Sequence, residues 1–275
     1  MLYDITSING AYKFLSEYLE VDRDYIDLYI RKNPSKYKFK KFIEEIEFIK
    51  KIKFNNLKLE DIDIILIHIT TNDDDCNSIK KYGLINLIQA ITLETPLSKY
   101  LKSFNIVFDV YNYLIFIDEQ VFSIRDYKES KEVIRLLYLK LYDDYNINAF
   151  FYVRDFKSYG GRVHEKPEIL CNLSKAFNNK NISEKWKNNI HNKCYSVKFK
   201  VRLEELEWYT FYDNIEEYKK DYTKKDLIRN ELVENALSVI HEDYFKKDSK
   251  SELIAYLKRE VLIPYSNIIE IEEIK

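Results

Sequence analysis

Apolar positions along the chain recur with two periods, close to 3.6 and close to 2, which alternate without a regular βαβ repeat. The sharpest change lies between Ile62 and Leu84, in IDIILIHITTNDDDCNSIKKYGL. This stretch opens with a run of Ile and Leu, far short of the ~20 apolar residues a membrane helix needs, and predicts a buried strand. His68 and Thr70 come near the end of that strand and, being two apart, share a face. The run breaks at Asn72-Asp73-Asp74-Asp75, short polar side chains that bond nearby backbone amides and favour turns and N-caps. A helix is predicted from about Asp75 to Tyr82, stopped by Gly83, which can adopt positive φ as a C-cap.

Before this unit, helical spacing predicts helices over 8–20 and 22–33. A stronger one is predicted over 36–53, with Phe39, Phe42, Ile43, Ile46 and Ile49 on one face and lysines opposite. After it come short helices at Asn86–Ile91 and Pro96–Phe104, the second with proline in its first turn. Strands are predicted at Ile106–Phe108, Tyr113–Ile117 and Val121–Ile124, then a helix from about Lys128 to Tyr142. Asn148–Val153, NAFFYV, is short, aromatic and β-branched, hence a strand. Arg154–Pro167, RDFKSYGGRVHEKP, is the least regular segment and contains the Gly160-Gly161 pair. A helix is predicted near Ser183–Asn192, a strand near Tyr195–Val201 and an aromatic stretch at Trp208–Tyr212. Two helices, near Asp226–His241 and Glu252–Val261, precede a last strand, Ile268–Ile274. Strands interspersed with helices predict a mixed α+β fold.

Composition changes this picture in three places. A chain of 275 residues buries roughly three quarters of its unfolded surface and needs no covalent staple. Its three cysteines, Cys76, Cys171 and Cys194, are odd in number and widely spaced, which points to a reducing cytoplasm. No signal peptide is read in MLYDITSINGAYKF. A net charge of −2, from 44 basic and 46 acidic residues, imposes no global field, though a local basic face stays open. Twenty-four Tyr and 16 Phe against four Gly and four Pro reflect a coding sequence poor in G and C, and are no evidence of base stacking.

Several chemistries find no support: there is no Gly-rich phosphate loop, GxSxG elbow or His-Glu-x-x-His. Cys171 could pair with His164 as a nucleophile, but it lies in an apolar run, where thiols are inert. Asp73-Asp74-Asp75 reads as a helix cap favoured by the helix dipole rather than a metal site, and no metal is expected. His68 on its strand is a candidate site residue, weighed evenly against a structural role. Glu168, after the Gly-Gly loop and Pro167, can sit at a strand or helix start facing a cleft, or serve only as a helix N-terminal Glu. Glu165 competes with it, and His164 is a candidate proton carrier.

Three of these features together resemble the ADP-ribosyltransferase fold of the His-Tyr-Glu class, the group of poly-ADP-ribose polymerases, diphtheria-like toxins and DNA-modifying toxins. They are strand-borne His68-x-Thr70 with its helix ending in Gly83-Leu84, the aromatic strand Phe150-Phe151-Tyr152, and the loop into Glu168 as PEIL. The resemblance covers roughly residues 62–202. It implies a split β-sheet core over 59–204, with helical additions over 1–58 and 205–275 whose last strand returns to the core. It also implies NAD as substrate: His68 and Thr70 on the nicotinamide ribose, Tyr152 stacked on the nicotinamide with Tyr113 and Tyr159 in reserve, and Glu168 as the catalytic carboxylate. Arg154 or Arg162 would meet phosphate, and the loop carrying Tyr159, Arg162 and His164 would face the acceptor. The family places a strand after this glutamate, where PEILCNL can also be helical, and small residues after the middle aromatic, which this chain lacks.

The expectation is a cytoplasmic NAD-dependent ADP-ribosyltransferase-like enzyme of the toxin or phage-defence kind, with a protein or nucleic acid as acceptor and an antitoxin or partner protein beside it. The rival is a non-enzymatic interaction or ligand-sensing protein, using helix 36–53 and the Trp208–Tyr212 stretch.

Overall fold

The structure is a computed structural model, and it describes residues 1–35, 39, 41–51, 59–125, 132–159, 162–222, 225–245 and 252–275. The Gly160-Gly161 pair and the predicted starts of the 36–53 and 128–142 helices lie outside the described residues.

In chain order, the first elements are β1 (Leu2–Tyr3), α1 (Ile8–Leu19), α2 (Arg23–Lys32), α3 (Phe42–Lys50), β2 (Asp63–Asn72) and α4 (Asn77–Tyr82). Next come α5 (Leu87–Thr92), α6 (Pro96–Ser103), β3 (Ile106–Asp109), β4 (Leu114–Ile117), β5 (Gln120–Ser123) and α7 (Glu132–Tyr138). The last are β6 (Asn148–Val153), α8 (Glu168–Ala176), α9 (Asn181–Lys187), β7 (Lys193–Arg202), α10 (Ile215–Asp221), α11 (Asp226–Tyr244), β8 (Glu252–Tyr256) and β9 (Ile268–Ile274). The fold is mixed α+β; β1 pairs parallel with β2, while β2 with β6, β6 with β8, β7 with β9 and the β3-β4-β5 strands pair antiparallel. No helix among the described residues is long and apolar enough to cross a membrane.

The chain forms two compact units, each assembled from separated stretches. The first comprises Met1–Ile67, Asn148–Arg154 and Lys200–Tyr256. Its strands run β8-β6-β2, with β1 beside β2. Tyr3 fixes the helices to this sheet: fully buried, it donates from its hydroxyl to Leu232 O of α11 at 3.0 Å and meets Phe14 of α1 edge to face at 4.7 Å. The side chain N-capping α1 is Ser7, which accepts from Gly10 N. α11 has no capping side chain at Lys225; instead the buried Asp221 carboxylate accepts from Asp226 N and Leu227 N, both at 3.0 Å, while Tyr212 donates to it at 2.9 Å.

The predicted helix Glu252–Val261 is not there. Glu252–Tyr256 is β8, paired along β6 from Val153 to Asn148 with a bulge between Phe150 and Tyr152. The apolar spacing Leu253, Ile254, Tyr256, Leu257 suits a helix, but the ladder offered by NAFFYV wins, as tertiary pairing commonly overrides local propensity. α10, N-capped by Asn214, was not foreseen by apolar spacing because it is mostly polar.

The second unit comprises His68–Ile147, Asp155–Phe199 and Leu257–Lys275. β7 pairs antiparallel with β9, and β3-β4-β5 form a separate meander. The meander packs Ile106, Ile115 and Phe122 onto a core shared with α6, α7, α8 and α9, and Trp186 of α9, 1% exposed, is its largest side chain. The indole Nε1 donates to Thr71 Oγ1 of β2 at 3.0 Å. Beyond Tyr138 the α7 helix continues as a π-helical turn, Leu139–Asp143.

Gly83 ends α4 as the sequence predicts, with φ +76°. Leu84 then exchanges two backbone hydrogen bonds with Ile263, at 2.9 and 3.0 Å. A Cβ on residue 83 would lie 1.9 Å from Ile263 O, so strain and collision coincide. Gly83→Ala is expected to destabilise by about 2 kcal/mol or more, read as a lower midpoint in urea unfolding. Thr71→Val keeps volume but leaves the Trp186 N–H buried without an acceptor, a loss of about 1–3 kcal/mol, and the same titration checks it.

Candidate functional site

β2 carries its polar pair as the period-2 reading requires. Ile67, Ile69 and Thr71 are buried, while His68 and Thr70 are half-buried on the other face. The strand runs on to Asn72, so the pair lies inside it rather than at its exit. Thr71, bonded to Trp186, points to the face opposite His68 and Thr70, and on the pair's own face Ile64 and Leu66 are fully buried.

The turn after β2 is tightly built. Asp75 and Cys76 both take left-handed backbone conformations, with φ of 50° and 61°. Asn72 accepts from Cys76 N at 3.3 Å, and Asp74 accepts from Ser78 N at 2.8 Å, so the triple aspartate does cap α4, from outside the N-cap position. Asp75 receives Lys193 Nζ at 2.9 Å and Tyr195 Oη at 3.3 Å, which hold its carboxyl below the usual range. Burial pushes the Cys76 thiol up, away from nucleophilic character. Among the described residues no group of three or more His, Cys, Asp or Glu is placed to hold a metal ion.

Glu168 is the first residue of α8, in the first-turn position that the helix dipole favours. EILCNL is therefore helical here, with Pro167 at the N-cap. Its Oε2 lies 2.8 Å from Lys140 Nζ, and the same ammonium lies 2.7 Å from Asp144 Oδ2. Lys140 is only 16% exposed and belongs to the π-helical turn, a kind of irregularity frequent at functional sites. Burial acts to lower its pKa, but attraction by Asp144 and Glu168 outweighs this and leaves it raised. The Glu168 side chain is 52% exposed. Only the Lys140–Asp144 spacing of four was visible in the sequence; the link to Glu168 is tertiary.

The loop before α8 is folded by successive backbone bonds, Arg162 N to Tyr159 O and Glu165 N to Arg162 O, with Arg162 itself at φ +50°. His164 is largely buried, with Nε2 3.9 Å from Glu165 Oε1; its Nδ1 is enclosed and has no partner among the described residues. Glu165 is held by Lys187 of α9 at 2.9 Å, and Lys166 by Glu184 at 3.0 Å. Tyr159, Arg162 and His164 thus belong to the second unit, as do His68, Thr70 and Glu168. Tyr152 and Arg154 belong to the first. Tyr152 is half-buried at the bulge of β6, and burial followed by the charge of Glu242 raises its hydroxyl pKa. Arg154 is exposed just past the strand. Tyr113, held in reserve as a stacking residue, is itself stacked on Tyr142 at 4.6 Å with Arg125 against its ring.

The hydrogen bond from Lys187 outweighs the opposing effect of burial and, with the charges of Lys187 and Arg162, leaves the Glu165 carboxyl below the ordinary carboxylate range. A depressed folded pKa contributes stability that is complete above the unfolded value of about 4.3 and is lost as pH falls through the folded one. The stability difference between wild type and Lys187→Gln is therefore expected to be constant above about pH 6 and to shrink on acidification through that window. Urea unfolding over a pH series measures it. Comparison with known protein families, curated proteins and solved structures finds no match to this chain.

Proposed function

We propose that the protein is an NAD-dependent ADP-ribosyltransferase-like enzyme acting on a macromolecular acceptor in the cytoplasm. The observation that carries this reading is the pair His68 and Thr70, half-buried on one face of a strand whose residues from Ile64 on are otherwise buried, and followed by a turn, a short helix and the Gly83–Leu84 anchor. An imidazole and a hydroxyl two residues apart offer adjacent hydrogen-bonding groups for a ribose. In this reading Glu168 supplies the negative charge. As the bond between ribose carbon and nicotinamide nitrogen lengthens, its electron pair leaves with nicotinamide and the sugar becomes cationic. A fixed carboxylate beside the sugar lowers the energy of that state. The acceptor then bonds to the same carbon and loses its proton. Lys140 lies 2.8 Å from Oε2 of Glu168, and in this reading the other carboxylate oxygen faces the ribose. The free state of Cys76, Cys171 and Cys194 agrees with a reducing compartment.

A second reading has its own observation. In the meander, Val107 pairs with Phe116 and Phe116 with Val121, so the three share the face opposite Ile106 and Ile115. Val107 is 49% and Val121 57% exposed, an outward apolar row of the sort that binding proteins use. This supports a non-enzymatic interaction or ligand-sensing protein.

Labelled NAD with cell extract separates the two. Glu168→Ala is expected to lower transfer by about 100-fold or more, and His68→Ala to weaken NAD binding in calorimetry by about tenfold, the value of one good hydrogen bond. NAD binding without any difference in labelling between wild type and Glu168→Ala rejects the catalytic role. No binding of NAD or its fragments by wild type leaves the interaction reading.

A further inference from the structure

The net charge of −2 conceals a strong local imbalance. From Ile169 to Leu203 the chain has eight Lys and Arg against one acidic residue, Glu184. Three of those cations are absorbed by neighbouring acids: Lys187 by Glu165, Lys193 by Asp75 and Glu273, and Lys200 by Asp63. Glu184 is itself taken by Lys166. Of the other five cations, Lys198 is half-buried in β7 and Arg202 bonds Glu60 O, while Lys175, Lys180 and Lys185 are exposed, with no acidic partner among the described residues.

The fold then adds two more. Tyr100 of α6 donates to Ile182 O at 2.8 Å and meets Trp186 edge to face at 4.9 Å, which sets α6 beside α9. Leu97, Ser98 and Leu101 of α6 are buried, so Lys99 and Lys102 turn outward, also without acidic partners. Lys185 lies over the ring of Phe104 at the end of α6, 5.3 Å away, bridging the two helices. Asn178, Asn179 and Asn181, exposed in the turn between α8 and α9, place neutral amides among the lysines.

We propose that this α6–α9 face binds the phosphodiester backbone of a nucleic acid. Five uncompensated ammonium groups with interspersed amides suit closely spaced phosphates, because lysine gives charge and amides give hydrogen bonds to phosphate oxygens. The aromatic side chains here, Tyr100, Phe104 and Trp186, are engaged in packing, so the face reads backbone rather than base. The apolar sides of both helices point into the core, which leaves no hydrophobic face to lie in a lipid bilayer. The inference does not depend on NAD chemistry.

The test is fluorescence anisotropy of the full chain with a labelled DNA duplex and, in parallel, an RNA hairpin. Wild type is expected to bind at least one of them and to lose a few hundred-fold in affinity between about 50 and 200 mM salt, as about five phosphate contacts require. Lys99→Glu, Lys102→Glu, Lys180→Glu and Lys185→Glu together should weaken binding by about 100-fold or more and flatten the salt dependence. The control carries the same charge change elsewhere, at Lys13, Lys32, Lys219 and Lys220, and should stay close to wild type. Should the glutamate variant melt early, the same four positions as Gln keep side-chain length and should still lose about tenfold. Absence of wild-type binding to either nucleic acid at low salt, equal losses in patch and control variants, or binding only to phosphatidylserine vesicles would each overturn the proposal.

Discussion

An indole N–H enclosed in an apolar core must find an acceptor, and Trp186 finds Thr71. That bond ties α9 to β2 through a residue 1% exposed, and it holds Thr71 toward α9. Since side chains of a strand alternate, holding Thr71 there places His68 and Thr70 on the other side, half-buried and polar. The same tryptophan receives the edge of Tyr100, which brings α6 to α9. One buried contact therefore orients both the candidate ribose-binding pair and the lysine face.

Electrostatics in the second unit works by local pairing. Asp75 has Lys193, Glu165 has Lys187, Glu184 has Lys166 and Glu168 has Lys140. Most of these pairs are partly exposed and screened by solvent, so they arrange charge more than they stabilise the fold. Lys140 differs, being largely buried between two carboxylates, where removal of one partner strands a charge away from water. Acids satisfied by their own lysines cannot neutralise their neighbours. A chain near overall neutrality thereby presents a basic face on α6 and α9.

Backbone constraints complete the second unit's site region. The left-handed pair Asp75 and Cys76 turns the chain out of β2, and Gly83 lets it return close enough to bond Ile263. A π-helical turn in place of a regular helix end sets Lys140 against both Asp144 and Glu168.

By itself the sequence determined the elements whose period matches their environment. The alternation around His68 and Thr70, the NAFFYV strand, the last strand from Ile268 and the glycine stop at residue 83 were all legible, because each follows from side-chain spacing or backbone sterics within a few residues. The choice between strand and helix for Glu252–Tyr256 was not, since its apolar spacing fits a helix and only the open edge of β6 makes it a strand. Nor was the company kept by Glu168, which depends on a lysine 28 positions earlier in a helical turn of altered pitch. The lysines of α6 and α9 likewise stand more than 70 positions apart, and only packing through Tyr100 and Trp186 makes them one surface. Local steric rules act over a turn or a strand and can be read along the chain; pairing between distant charges and edges exists only once the core has closed.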